Sequence, residues 1–87
     1  MIHEHELKIL KTEEVDATTL TRLRPPPTAN MLRITAESDV RWSDFTVPTS
    51  TEGHKLTEGQ TFLYPGSPNT FRVIGGVVQV SYYETLP

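Results

Sequence analysis

The chain has 87 residues, with eight basic and eleven acidic side chains, no cysteine and a formal net charge of −3 at neutral pH. This length suits a single domain, and the lack of cysteine excludes a disulfide framework and a thiolate metal site. Because charges of both signs are spread along the chain, we expect no nucleic-acid partner. The longest apolar stretches are far too short to cross a membrane, so we expect no membrane partner either.

The first 28 residues carry charges without a clean period of either 2 or 3.6 residues. Their frequent threonines disfavour a helix, so we predict an N-terminal arm or edge strands. Pro25-Pro26-Pro27 imposes polyproline geometry and removes three amide donors. We therefore divide the chain into an N-terminal arm or edge strands with a Pro spacer, residues 1–28, and a compact β-sandwich core, residues 29–87. On this division, loss of residues 1–24 should weaken attachment to a partner more than it harms the fold.

Two histidines near the start of the chain, His3 and His5, would share one face of a strand. They supply only two ligands, and His54 is distant in sequence, so a tetrahedral metal site is not expected. A solvated terminal segment explains them better. We predict no metal and no other cofactor.

The middle of the chain has a period-2 pattern in which Leu32, Ile34 and Ala36 alternate with polar residues. The pattern resumes at Val40 and Trp42 after a turn-prone Ser-Asp pair, which predicts a hairpin. Residues 45–59 are rich in Thr, Ser, Pro and Gly and are predicted to form a loop. A short strand is expected at 60–64, closed by the turn-forming residues 65–69.

The C-terminal end has the clearest alternation, over residues 77–84, and a shorter strand is predicted just before it at 70–74. Gly75-Gly76 between them supplies the positive φ angles of a two-residue hairpin turn. We therefore predict a terminal β-hairpin. Together these segments indicate an all-β fold, an antiparallel β-sandwich of seven or eight strands.

Catalytic residues are not apparent in this pattern. The internal histidine, His54, has no nucleophile elbow beside it. Glu37, Asp39 and Asp44 fall on exposed faces and turns, where carboxylates ordinarily only solvate the surface. We predict that the protein is not an enzyme and has no catalytic residues.

Aromatic side chains mark the expected core, because a chain of this size needs most of them to build one. Tyr82 and Tyr83 point to opposite faces of one strand, so one of them should face outward unless another layer or subunit covers it. An exposed Tyr beside Arg is typical of interfaces. The candidate interface residues are Arg41, Trp42, Arg72 and Tyr83.

An ordered series of short motifs resembles a family of small tailed-phage virion proteins, among them capsid decoration (cement) proteins. The series runs from Ala29 to Glu84 and comprises Ile34-Thr35-Ala36-Glu37, Val40-Arg41-Trp42, Pro48-Thr49 followed by Gly53, Leu56 and Gly59, then Phe71-Arg72-Val73-Ile74 and Val80-Ser81-Tyr82-Tyr83. The chain departs from the family pattern at residues 44–47, and residues 1–28 match no part of it.

The resemblance implies a jelly-roll-like sandwich that binds the major capsid protein and stabilises the phage head shell. It implies localisation on the capsid surface of the virion after synthesis in the host cytoplasm, with copies associating as a homo-oligomer, a trimer being favoured. One alternative is a structural protein of the head-tail junction, the tail or the fibre base. A second alternative is a small carbohydrate-binding domain, in which Trp42, Tyr64 or Tyr83 would stack on a sugar.

Overall fold

The structure is a computed structural model that describes residues 6–86, so His3 and His5 lie outside the described part of the chain. Eight strands make up the fold: β1 (Glu6–Ala17), β2 (Thr21–Arg22), β3 (Met31–Ala36), β4 (Val40–Ser43), β5 (His54–Leu56), β6 (Thr61–Tyr64), β7 (Arg72–Ile74) and β8 (Gly76–Leu86). Within residues 6–86 the helical structure is limited to one 3₁₀ turn, Pro68–Thr70. No helix in this part of the chain could span a bilayer.

The strands form two four-stranded antiparallel sheets, which confirms the predicted all-β sandwich-like fold. We call them the long sheet, with strand order β1-β8-β3-β6, and the short sheet, with strand order β2-β7-β4-β5. The edge strands are β1 and β6 in the long sheet, and β2 and β5 in the short sheet.

Strand pairing is nested from the ends of the chain toward its middle. β1 pairs with β8, β2 with β7, β3 with β6 and β4 with β5. Among consecutive strands of residues 6–86, β4 and β5 are the pair that lies side by side in one sheet. Every other connection between these strands carries the chain from one sheet to the other.

The two predicted hairpins are therefore wrong, although their strands exist. β3 and β4 lie in different sheets, and so do β7 and β8. Alternation reveals which side chains point inward, and the inner faces of two stacked sheets give the same pattern as the inner face of one hairpin. Gly75 does adopt the predicted positive φ, 125°. Its N–H donates to the carbonyl of Ala17 at 2.8 Å, and the chain crosses between the sheets at this point.

The N-terminal segment supplies an edge strand to each sheet rather than an arm. β1 pairs with β8 from Glu6 to Ala17, with a β-bulge between Ile9 and Lys11. Ala17 and Leu23 are buried in the core. The prolines at 25–27 thus lie in the connection from β2 to β3, and of the two predicted alternatives for residues 1–28, an arm or edge strands, the edge strands are formed. The predicted loop at 45–59 also contains a strand that the sequence did not reveal, β5.

The core lies between the inner faces of the two sheets, because alternate residues of each strand point inward. In β3, Leu32, Ile34 and Ala36 are buried between more exposed neighbours. The largest fully buried side chains come from both sheets and from the segment before β7; they are Tyr82, Phe71, Leu32, Ile34, Val40, Val73, Val78, Val80 and Pro68.

Candidate interaction surfaces

An aromatic cluster fills the interior of the sandwich between β4 and β6. The Trp42 ring stacks on Phe71 at a centroid distance of 4.8 Å and on Phe62 at 5.0 Å. His54 lies 4.5 Å from the Trp42 ring, and Tyr64 meets it edge-on at 6.1 Å. With only 8% of its surface exposed, Trp42 is a core residue. It offers no face on which a sugar ring could stack.

Two tyrosine hydroxyls at the border of the core donate to carboxylates. Tyr64 Oη donates to Asp44 Oδ2 at 3.0 Å, and Tyr82 Oη donates to Glu13 Oε2 at 3.0 Å. Burial, reinforced by the hydrogen bond to Asp44, raises the pKa of Tyr64. Burial and then Glu13 raise the pKa of Tyr82 well above its usual value. Both hydroxyls therefore act as neutral donors. Tyr64 holds the loop that follows β4, and Tyr82 holds the edge strand β1.

An apolar patch covers one end of the outer face of the long sheet. Ile9, Tyr83 and Met31 lie side by side on β1, β8 and β3. Leu7 lies two residues before Ile9, on the same face. Leu63 of β6 extends the patch on the far side of β3, and Leu7, Ile9 and Leu63 are each more than half exposed.

Arg33 connects the two parts of this apolar patch. It pairs across β3 and β6 with Leu63, and its guanidinium carbon lies 6.0 Å from the centre of the Tyr83 ring. That distance is at the outer limit of a cation–π contact. Beyond Arg33 the same face is polar, with a Thr35–Thr61 hydroxyl contact of 2.9 Å. The apolar residues are thus gathered at one end of the sheet and bordered by polar groups, as at a binding surface.

The edge strand β1 runs beside this patch with one side unpaired in the described chain. An exposed edge of 12 residues presents a row of backbone donors and acceptors to which another strand can add. Lys8 and Lys11 interrupt the edge, and charged residues of this kind discourage unspecific pairing. The edge and the apolar patch together offer both backbone and side-chain contacts to a partner.

The structure separates the four predicted interface residues. Tyr83 is half-buried in the apolar patch of the long sheet, and Trp42 is in the core. Arg41 and Arg72 point outward from the short sheet, since each precedes a residue whose side chain is buried inside. Of the four predicted interface residues, Trp42 therefore lies in the core, and the other three lie on the two opposite outer faces of the sandwich.

Six exposed large apolar residues were missed by the sequence reasoning: Leu7, Ile9, Leu20, Phe45, Val47 and Leu63. For Leu7 and Ile9 a signal was present, because they alternate with Lys8 in a segment that must be a strand. Leu63 could not be found in this way, since it differs from its apolar neighbour Phe62 only in the face to which it points.

Within residues 6–86 no three His, Asp or Glu side chains lie close enough to hold a metal ion. Comparison with known proteins identifies no relative: no family model matches the chain, and neither curated proteins nor solved structures give a significant match.

Proposed function

We propose that the protein is a virion structural protein of the capsid decoration type, which binds the major capsid protein and stabilises the phage head shell. The observation that carries the proposal is the apolar patch beside the open edge of β1. Patches of this kind mark protein–protein contacts. The ordered motifs between Ala29 and Glu84 that resemble small phage virion proteins agree with it.

The nested pairing of the strands supports classifying the sandwich as a jelly roll. In that arrangement an antiparallel ribbon of eight strands is wrapped into two sheets, and the fold serves as a capsid domain and as a lectin domain. For the lectin-like use, two of the three side chains expected to stack on a sugar are engaged inside the protein. Trp42 is enclosed by other rings, and the Tyr64 hydroxyl is engaged by Asp44.

Copies of the chain associate through the same end of the long sheet, with a trimer as the favoured assembly. Pairing across the β1 edge satisfies its backbone groups, and contact between apolar patches removes Leu7 and Ile9 from water. A small core gains stability from such association. A position at the head-tail junction would use the same surfaces in far fewer copies.

Quantitative mass spectrometry of virions purified from cells that carry the gene tests the proposal. We expect the protein in a fixed, high ratio to the major shell protein. A few copies per particle would indicate the head-tail junction, and absence from the particle would refute a virion role. Virions grown with the Leu7→Ser/Ile9→Ser double variant provide the comparison, since this variant should be depleted from particles while remaining folded.

A further inference from the structure

Charge is segregated between the two sheets, although it is spread evenly along the sequence. The strands of the short sheet contain four cationic side chains, Arg22, Arg41, Lys55 and Arg72, and no Asp or Glu. The strands of the long sheet contain all five strand carboxylates, beside three cations; the carboxylates are Glu6, Glu13, Glu14, Asp16 and Glu84. The fold thus creates a cationic surface on a protein with a net negative charge.

All four cations lie on the outer face of the short sheet, which we call the basic face. Arg22 is directly opposite Arg72 on the neighbouring strand, and Arg41 is directly opposite Lys55. Like charges in directly opposed positions destabilise a sheet. Two such pairs on one four-stranded sheet lower its stability. Core packing does not require them, because the four side chains lie on the outer face.

The arginines of the basic face are held by backbone carbonyls rather than by carboxylates. Arg22 Nε donates to the Asn69 carbonyl at 2.8 Å, and Arg41 Nη1 donates to the Gly53 carbonyl at 3.0 Å. Such contacts orient a guanidinium and leave its charge and most of its donors in place. Among residues 6–86 the ion pair that forms is on the other sheet, between Lys11 Nζ and Glu13 Oε1 at 3.4 Å.

The residues beside the basic face indicate which class of negatively charged partner it would bind. Ser43, which lies opposite Arg72, contacts Thr46 through the hydroxyl and the backbone N–H of Thr46, and this fixes the start of the loop that follows β4. Phe45 and Val47 on that loop are 76% and 59% exposed. Arginine together with exposed aromatic and apolar residues is the composition of a protein–protein interface.

Carboxylates on the flanking loops also restrict the partner. Asp39 lines the 260 Å³ hollow beside Arg41 and Lys55, and its Oδ1 accepts a hydrogen bond from the Glu58 N–H at 2.9 Å. A long polyanion such as a nucleic acid would run from the basic face onto these carboxylates and be repelled. A compact cluster of acidic side chains on a folded partner would not.

We propose that the basic face is a docking surface for a carboxylate-rich patch on a partner protein. It lies on the opposite side of the sandwich from the apolar patch, so each copy can contact its neighbours with one sheet and an acidic protein surface with the other. The inference goes beyond the proposed function because it names the face used and the charge of the partner.

Fluorescence anisotropy with a labelled peptide of alternating Glu and Val tests the proposal, with the matching Gln and Val peptide as the uncharged probe. The full chain should bind the acidic peptide, more weakly as salt is added. The Lys55→Gln/Arg72→Gln variant should bind about tenfold more weakly, because it removes one cation from each opposed pair. Its melting temperature should not fall, since the like-charge repulsion is relieved.

The control is Lys8→Gln/Lys11→Gln, which makes the same change in net charge on the long sheet and should leave peptide binding unchanged. An equal loss in this control would mean that net charge alone drives binding and would overturn the proposal. Tighter binding of a single-stranded oligonucleotide than of the acidic peptide would overturn it in favour of a nucleic-acid surface.

Incorporation into virions separates this proposal from the preceding one. If the unaltered chain is abundant in particles but the Lys55→Gln/Arg72→Gln variant binds the acidic peptide as tightly as the unaltered chain does, the inference fails while the virion role stands. If the unaltered chain is absent from particles yet binds the acidic peptide through the basic face, the virion role fails and the inference stands.

Discussion

At the scale of single residues, the turn at Gly75 leaves no room for a side chain. Its φ is +125°, and a Cβ there would lie 2.9 Å from the Asp39 carbonyl oxygen and 3.1 Å from Val40 Cα. Both neighbours are backbone atoms, one at the end of the turn before β4 and the other at the first residue of β4, and cannot rotate away. The Gly75→Ala variant should therefore lose about 2–4 kcal/mol of unfolding free energy, from backbone strain and overpacking combined.

Gly59→Ala is the matched control, because Gly59 also has a positive φ, +85°, but a Cβ there would meet nothing within 4 Å. It should cost only about 1 kcal/mol, the conformational part of the penalty. Urea denaturation of both variants measures the difference. Equal losses would show that the close approach to Asp39 and Val40 is relieved by movement of the backbone.

The buried hydroxyl of Tyr82 predicts how stability depends on alkaline pH. Its pKa in the folded state is raised by burial and by Glu13, whereas in the unfolded chain it returns to about 10. Below pH 10 both states hold the proton and pH has no effect through this group. Above pH 10 the unfolded state releases the proton first, so the free energy of unfolding falls, by at most about 1.4 kcal/mol per pH unit.

Tyr82→Phe removes this titration and should flatten the decline of the melting temperature above pH 10. It should also cost about 1–2 kcal/mol at neutral pH, since the hydrogen bond to Glu13 is lost. Melting curves at pH 7 and in the alkaline range test both effects. An unchanged alkaline slope in the variant would assign the decline to other groups, among them Tyr64, whose pKa is also raised.

At the scale of elements, the apolar patch on β1 and β8 is expected to control self-association. Leu7→Ser/Ile9→Ser removes two side chains that are more than half exposed, so it should reduce the mass measured by light scattering and lower the melting temperature only by the stability that association supplies. Val47→Ser, at an equally exposed apolar residue outside the apolar patch, should leave the mass unchanged. A loss of mass in both variants would point to unspecific hydrophobic association.

The same elements show how far sequence reasoning reaches. Period-2 alternation located β3, β4 and β8 and the inward residues Leu32, Ile34, Val78 and Val80, and the turn residues at 65–69 helped to locate β6. It failed on β5, a strand of three residues, because so short a segment contains no full period. It also failed on pairing, since no local signal distinguishes a turn within one sheet from a crossing between two. The basic face was missed for the same reason: its four cations meet only after the strands are paired.

At the scale of the whole molecule, the two sheets differ in length, charge and exposed apolar surface. The long sheet is acidic and carries the apolar patch, and the short sheet is basic. The described chain is elongated, with extents of 45 × 24 × 20 Å, because β1 and β8 continue as a two-stranded ribbon past the start of β3. A protein molecule with two such different faces can make chemically different contacts on opposite sides at the same time.

The nested pairing of strands also determines how the chain must fold. β4 and β5 are close in sequence and can meet early, whereas the β1–β8 ribbon joins Glu6 to Leu86 and closes a loop of nearly the whole chain. Closing that loop costs chain entropy before the contacts between β1 and β8 form and offset the cost. Folding is therefore expected to take milliseconds to seconds rather than microseconds. Until the ribbon forms, the edge of β8 that pairs with β1 has no hydrogen-bonding partner. Newly made chains are therefore most prone to aggregate during this last step, and a partner that pairs with β8 at that moment could take the place of β1 and join two copies by strand exchange.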